Sequence, residues 1–134
     1  MATITKADLA ISRDTGKHLA TPVVSCRVTF TAAELALMKL LTGQRVYKLS
    51  CELWGADSWP LGGDDKRFRY PTVYFFGDAT PTANESRTFT VTLGQGVLDE
   101  DIGSDEIYAK LILANVLFPG PAVVRKTNEV SASF

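Results

Sequence analysis

The chain has 134 residues, of which 46% are hydrophobic, and its 14 Lys and Arg residues nearly balance its 15 Asp and Glu residues, leaving a formal charge of -1. This length is typical of one domain with one core, so we expect residues 1–134 to form a single domain. A chain without net positive charge lacks the field that attracts a polyanion, which argues against a nucleic-acid partner. No segment approaches the roughly 20 apolar residues that span a bilayer, and the first residues lack the apolar stretch of a signal peptide. We therefore expect a soluble, cytoplasmic protein with no membrane span.

Alternation of hydrophobic and polar residues is the dominant pattern in the chain, and it is typical of strands in a half-buried antiparallel sheet. It is clearest in residues 23–31, 45–54 and 86–93. The residues predicted to face inward in the first two segments are Val24, Cys26, Val28, Phe30, Tyr47, Leu49, Cys51 and Leu53. The polar residues between them are predicted to point outward, to the opposite face of each strand.

Four further segments show weaker alternation and are also predicted to be strands. They are a first strand near Leu9 and Ile11, and residues 67–76, 107–117 and 123–134. The third of these is apolar on both faces, which favours a central position, whereas Pro71 marks a bulge or an edge position because it lacks a backbone N–H. With about seven strands separated by turns, the chain resembles an immunoglobulin-like or C2-like sandwich in strand count and turn spacing. We therefore predict a mainly all-β fold, an antiparallel β-sandwich.

One segment breaks the pattern and predicts a short crossover helix over residues 32–42. Thr31 and Glu34 fit a capping box, in which each side chain bonds to an unpaired backbone N–H at the helix start. Hydrophobic residues then recur at helical spacing, and Gly43 suits the left-handed position that follows many helices. The apolar face consists of Leu37, Met38 and Leu41. We expect this face to cover the core between the two sheets.

Cys26 and Cys51 are the only cysteines, and both fall at positions predicted to face inward. We predict two buried thiols that pack as small hydrophobic side chains in a reducing compartment. Spacing along the chain does not establish whether they approach closely enough for a disulfide. The single imidazole, His18, stands apart from both cysteines and no Cys-x-x-Cys pair exists, which argues against a structural zinc site.

Five carboxylates occur within residues 99–106, and hard cations such as calcium bind where several oxygen ligands converge. Gly103 and Ser104 do not fit the corresponding positions of an EF-hand loop. A C2-like site would instead draw ligands from several loops at one end of the sandwich. The candidate calcium ligands are Asp57, Asp64, Asp65, Asp99, Asp101 and Asp105. The alternative is a solvated acidic turn that aids solubility. The sequence suggests no cofactor other than this possible calcium ion.

Residues 66–70 interleave cations with aromatic side chains, a composition that can bind phosphates and stack on bases. On a strand, however, Arg67 and Arg69 would share one face while Phe68 and Tyr70 would share the other. We therefore interpret the aromatic side chains as core and the two arginines as a basic surface. This surface is a candidate contact with a protein partner or with the acidic loops of a second copy.

Two tryptophans flank the turn at residues 55–58. Tryptophan is enriched at protein-binding hot spots because it offers a large flat surface with one polar group. Trp54, at a strand end, fits a core position equally well. Trp59, beside Pro60 in a polar loop, is the candidate for a partner contact.

No catalytic set is apparent in the sequence. His18 is the only imidazole, no Gly-x-Ser-x-Gly turn presents a nucleophile, and the glycines do not follow the spacing of a phosphate-binding loop. The leading hypothesis is a non-enzymatic binding or assembly module that acts through protein–protein contacts, including self-association through a sheet edge or face. Two alternatives stay open: a calcium-dependent domain that binds a lipid or a carbohydrate, and a small hydrolase that uses carboxylates.

Overall fold

Backbone hydrogen bonding divides the chain into strands, one α-helix and short connections. The computed structural model describes residues 1–56, 64–98 and 105–132. Within these ranges the elements in chain order are β1 (Thr3–Asp14), β2 (Leu19–Thr29), α1 (Ala32–Leu40), β3 (Arg45–Ala56), β4 (Asp65–Arg69), β5 (Val73–Phe76), β6 (Asn84–Thr90), β7 (Leu93–Gly94), a 3₁₀ turn (Gln95–Val97), β8 (Asp105–Asn115), β9 (Val123–Lys126) and β10 (Val130–Ala132).

The strands form two antiparallel sheets. In sheet 1, β2 is central, with β1 on one side and β6 and β7 on the other. In sheet 2, β3 pairs with β8; β4 and β5 follow the outer side of β3, and β9 and β10 follow the outer side of β8. The described strands thus fill three positions in sheet 1 and four in sheet 2. This arrangement confirms the predicted antiparallel β-sandwich and the central position of 107–117, while the immunoglobulin-like or C2-like type stays a prediction.

The core lies between the two sheets and follows the predicted alternation. The eight residues predicted to face inward in 23–31 and 45–54 are each at most 6% exposed. Successive side chains of a strand point to opposite faces of the sheet, and burying one large aliphatic side chain contributes about 1.5–3 kcal/mol. Cys26 and Cys51 are free and buried, as predicted. Burial raises the pKa of both thiols, so they stay protonated in the core.

Three of the predicted strands are interrupted in the structure. One of them, 86–93, is divided between β6 and β7, which both pair with β2. Residues 67–76 form β4 and β5, which pair with successive parts of β3. Pro71, between them, has no N–H to donate to a ladder. The chain leaves the ladder at Tyr70, whose ring is buried and whose hydroxyl donates to the Pro22 carbonyl at 2.8 Å. The described part of 123–134 likewise forms two strands, β9 and β10, which both pair with β8.

The predicted helix is present as α1, which connects sheet 1 to sheet 2. Thr31 Oγ1 accepts a hydrogen bond from Glu34 N at 3.3 Å, and Glu34 Oε1 accepts one from Thr31 N at 2.8 Å, which confirms the capping box. The helix ends at Leu40, before the predicted end at residue 42, and it buries Met38. Leu40 is 83% exposed and lies outside the apolar face. No helix within the described ranges is long and apolar enough to cross a membrane.

The turn after α1 rests directly on the backbone of Gly77. Gly77 N donates to Gln44 O at 2.8 Å, and Gly77 O accepts from Gly43 N at 2.9 Å. A Cβ atom on residue 77 would overlap the carbonyl group of Leu41. Because a backbone group cannot rotate away as a side chain can, this position requires glycine.

We expect Gly77→Ala to lower the free energy of unfolding by about 2 kcal/mol or more, because the added methyl group forces the α1–β3 turn away from residue 77. Urea unfolding followed by tryptophan fluorescence measures this change. Gly96→Ala is the matched control, since a Cβ atom there meets nothing within 4 Å, and its effect should stay within about 0.5 kcal/mol. Equal stability of the two variants would contradict the steric argument.

Candidate binding surfaces

The structure covers the predicted calcium ligands only in part. Those outside the described residues are Asp57, Asp99 and Asp101. Asp105 is described through its backbone alone, as the first residue of β8. Asp64 Oδ2 accepts a hydrogen bond from the Tyr108 hydroxyl at 2.6 Å, and Asp65 is exposed at the start of β4. Among the side chains that the structure describes, no three His, Cys, Asp or Glu residues are grouped so that they could hold a metal ion.

Strand pairing places the residues that border segments 57–63 and 99–104 at one end of sheet 2. Gly55, near the end of β3, pairs with Asp65 on one side and with Ile107 on the other. The residues that follow 57–63 and those that follow 99–104 therefore lie on either side of the same strand.

Burial, followed by the hydrogen bond to Asp64, raises the pKa of the Tyr108 hydroxyl, which therefore stays a neutral donor to that carboxylate.

The predicted partner contacts lie partly on the edge strand β4. Trp59 is outside the described residues. Arg69 is opposite Glu52 across the β3–β4 pair, and its Nη2 donates to Ser50 Oγ at 3.3 Å. Arg69 therefore lies on the outer face of sheet 2, as predicted.

The other residues of β4 follow the prediction except at one irregular position. Phe68 packs against the core, and Tyr70, just after the strand, belongs to it. Arg67 is half-buried and falls where the register between β3 and β4 shifts. The interpretation of the aromatic side chains as core is thus confirmed, whereas Arg67 does not share a regular outer face with Arg69.

The outer face of sheet 2 carries an interconnected set of charged and aromatic side chains. Glu52 is 8% exposed, and its carboxylate accepts hydrogen bonds from Trp54 Nε1 and Lys66 Nζ, each at 3.3 Å. The ammonium of Lys110 lies 4.2 Å from the centroid of the Trp54 ring, in cation–π geometry. Trp54 therefore belongs to this outer network and not to the core. The members of this network come from three strands, β3, β4 and β8, so the local sequence pattern could not predict their contacts.

Glu34 lines a cavity of about 230 Å³ beside α1. Its carboxylate accepts hydrogen bonds from Thr31 N at 2.8 Å, Ala2 N at 3.0 Å and the Tyr47 hydroxyl at 3.0 Å. Burial acts to raise the pKa of the Glu34 carboxyl, but these hydrogen bonds hold it below its ordinary value. Burial and the Glu34 charge raise the pKa of Tyr47 to about 12. The carboxylate is thus ionised and holds three structural hydrogen bonds, and Glu34 is the one carboxylate among the described residues that line this cavity.

We expect Glu34→Gln to lower the free energy of unfolding by about 1–2 kcal/mol at pH 7, because an amide nitrogen would face the donors of Ala2 or Tyr47. The folded-state pKa of Glu34 is lowered, so its stabilisation is present above the unfolded-state pKa and is lost as pH falls through the folded-state value. The difference between wild type and variant should therefore shrink below about pH 4. Urea unfolding at a series of pH values measures it, and a constant difference down to pH 2 would contradict the assignment.

The Asn128 side chain, in the β9–β10 connection, hydrogen-bonds to the outer backbone edge of β1. Asn128 Oδ1 accepts from Leu9 N at 2.9 Å, and Asn128 Nδ2 donates to Leu9 O at 3.0 Å. The carboxamide thus takes the place of a neighbouring strand's peptide group. β1 also bulges between Thr5 and Asp8, where Lys6 has a φ of 51°. Occupied backbone groups and a bulge both hinder the pairing of a further strand.

Aromatic side chains fill the opposite side of the sandwich, between β6 and β4–β5. The Tyr70 ring lies 5.5 Å from that of Phe89 on β6 and 5.2 Å from that of Phe68 on β4, measured between centroids. The guanidinium carbon of Arg87 on β6 lies 4.6 Å from the centroid of the Phe75 ring on β5. These contacts join the sheets through side chains, so within the described ranges the β6 backbone keeps an unpaired outer edge.

The direction of the β6 backbone groups follows from one hydrogen bond. Phe30 N, just after β2, donates to the carbonyl of Ala83, just before β6, at 2.9 Å. In an antiparallel ladder both groups of one residue point to the same side, and those of the next residue point to the other. The backbone groups of Asn84, Ser86 and Thr88 therefore point away from β2.

Arg87 partly covers this outer edge. Its Nη1 donates to the Ser86 carbonyl at 2.8 Å and lies 3.1 Å from Glu85 Oε2. The guanidinium thus occupies the central outward carbonyl of β6 and neutralises the neighbouring carboxylate.

Comparison of the sequence with models of known protein families and with curated proteins gives no match. The function of the chain is therefore inferred from its own geometry.

Proposed function

We propose that the chain is a non-enzymatic binding or assembly module that acts through protein–protein contacts, and that its primary contact is self-association through β6. The observation that carries this proposal is the outer edge of that strand, with which no strand of residues 1–56, 64–98 and 105–132 pairs. A row of exposed N–H and C=O groups is a template on which a strand of another chain can pair.

Among the described edges, β6 is the one best suited to accept a strand. It has seven residues and pairs with β2 without a shift in register. The edge strands of sheet 2 have three to five residues each, and β1 is sealed at Leu9 by Asn128. A longer regular edge offers more hydrogen bonds in one register, which favours pairing there.

The charges of β6 favour a second copy of the chain as the partner. An antiparallel pair centred on Ser86 places Glu85 of each copy opposite Arg87 of the other. Opposite charges that face each other across strands contribute about 0.2–1 kcal/mol per pair. The same register aligns the outward backbone groups of Asn84 in one copy with those of Thr88 in the other. Charge pairing and backbone hydrogen bonding therefore agree in this register.

Neighbouring registers meet fewer of these conditions. A pair centred on Thr88 places Arg87 opposite Phe89 and leaves the charges unpaired across the interface. A pair centred on Arg87 places two guanidinium groups opposite each other, and like charges directly opposite across strands are destabilising. In the register centred on Ser86, the guanidinium must release the Ser86 carbonyl. We therefore expect association that is weak and depends on concentration.

Analytical ultracentrifugation over a concentration series tests this proposal. We expect a monomer–dimer equilibrium that Ser86→Pro abolishes, because proline removes the outward N–H at the centre of the pair. Ser86→Ala keeps that N–H and is the matched control, and thermal melts of both variants check that they are folded. A wild-type chain that stays monomeric at high concentration, or dimerisation of Ser86→Pro equal to that of Ser86→Ala, would overturn self-association through β6.

Charge exchange in the same experiment tests the register. Glu85→Arg alone and Arg87→Glu alone each place like charges opposite one another, so each should weaken dimerisation. The double variant places opposite charges across the pair again and should recover part of the affinity. A double variant no stronger than either single variant would exclude the register centred on Ser86.

A calcium-dependent module that binds a lipid or a carbohydrate is the second candidate. The observation in its favour is that Gly55 pairs with both Asp65 and Ile107, so residues bordering both acidic loops lie at one end of sheet 2. Thermal unfolding with calcium and with a chelator measures binding, since a ligand at about 100 times its dissociation constant adds about 2.7 kcal/mol. Identical midpoints in the two conditions would remove this candidate.

A further inference from the structure

A shallow cavity of about 200 Å³ lies on the outer face of sheet 1. Its lining includes two cations and three hydroxyl groups, from three adjacent strands, whose side chains are available to the cavity. They are Lys6 of β1, Ser25 and Arg27 of β2, and Ser86 and Thr88 of β6. Strand pairing places Ser86 beside Arg27 and Thr88 beside Ser25. We call this group the cation patch.

The polar groups of the cation patch have no partner among the residues that the structure describes. Lys6 and Arg27 form no ion pair there, and the three hydroxyl groups form no hydrogen bond. The remaining lining residues, Cys26 and Arg87, direct their side chains elsewhere: the thiol is buried, and the guanidinium bonds Glu85 and stacks on Phe75. As far as the described residues go, the cation patch therefore keeps two positive charges and several donors available for a ligand.

Lys6 occupies the bulge of β1 in the left-handed region, with a φ of 51°. Residues with a Cβ atom adopt this conformation at a cost, and glycine or asparagine suits it better. Bulges frequently re-aim a side chain beside a functional site. A lysine at this position is explained if its ammonium is needed in the cation patch, where the bulge places it.

We propose that the cation patch is a binding site for a small oxyanion of the phosphate type. A guanidinium donates through a fork that matches two oxygens of a phosphate, and an ammonium adds a compact second charge. The hydroxyl groups of Ser25, Ser86 and Thr88 can donate to the remaining oxygens. Asp8 is opposite Ser25 on the same face but does not line the cavity. Its negative charge therefore lowers the affinity for an anion without blocking the site. The site uses the outer face of β6 and not its edge, so a single copy of the chain supplies all of its lining residues.

Nuclear magnetic resonance titration of the full chain with inorganic phosphate tests the site, with chloride at equal ionic strength as the reference. We expect saturable shifts of the amide signals of residues 25, 27, 86 and 88. Glycerol phosphate forms a second arm: equal affinity for both ligands indicates a site for free phosphate, and higher affinity for the ester indicates a phosphoryl group on a small organic molecule. Shifts with neither ligand beyond those with chloride would overturn the proposal.

Substitutions locate the binding to the named side chains. Lys6→Gly removes the ammonium but suits the left-handed backbone, so it should melt no lower than wild type and yet bind phosphate about tenfold more weakly. Arg27→Gln should weaken binding similarly, and Asp8→Asn should strengthen it. Lys48→Gln, exposed on sheet 2, is the control and should bind as wild type does. Wild-type affinity in both Lys6→Gly and Arg27→Gln would overturn the assignment.

Discussion

Backbone N–H and C=O groups at the edge of a sheet need hydrogen-bond partners in the chain, in water or in another protein, and this requirement shapes the whole sandwich. The centre of sheet 2 meets it through the continuous ladder between β3 and β8. At one edge, the Asn128 carboxamide supplies both groups that Leu9 needs. At the edge of sheet 2 formed by β4 and β5, the break at Pro71 divides the edge into two short strands. β6 differs because its own Arg87 covers one outward carbonyl, at Ser86, while no strand in the described part of the chain pairs with the rest of that edge.

The fold was predictable where local pattern determines it. Alternation identified the buried residues of β2 and β3, and the spacing of Thr31 and Glu34 identified the start of α1, because both patterns depend on neighbours in the chain. Contacts between distant residues gave no such signal. Asn128 reaches Leu9 across 119 residues of sequence, and Gly77 is required by a carbonyl of a different element. Such features become visible only once the strand order is known.

The binding surfaces were predictable to a smaller extent, for the same reason. Alternation correctly placed Arg69 outward and Phe68 inward. It could not decide between core and surface for Trp54, because the side chains that hold it, Glu52 and Lys110, include one from β8. The cation patch was missed because its lysine is displaced by a bulge, and nothing in the local sequence around Lys6 indicates a left-handed backbone.

The two outer faces differ in how their charges are satisfied, and this difference bears on what each can bind. On sheet 2, Glu52 already bonds to Trp54 and Lys66, so a charged ligand would have to displace existing partners, which reduces its net gain. On sheet 1, an anion at Lys6 would add interactions without breaking any described ones. β6 takes part in both proposed functions, since its backbone forms the open edge while its hydroxyl groups line the cation patch. Pairing two β6 strands would bring two cation patches together across the two-fold axis, and bound anions would then reduce the repulsion between the copies. By linkage, such an anion would favour the dimer to the same extent that dimerisation favours anion binding.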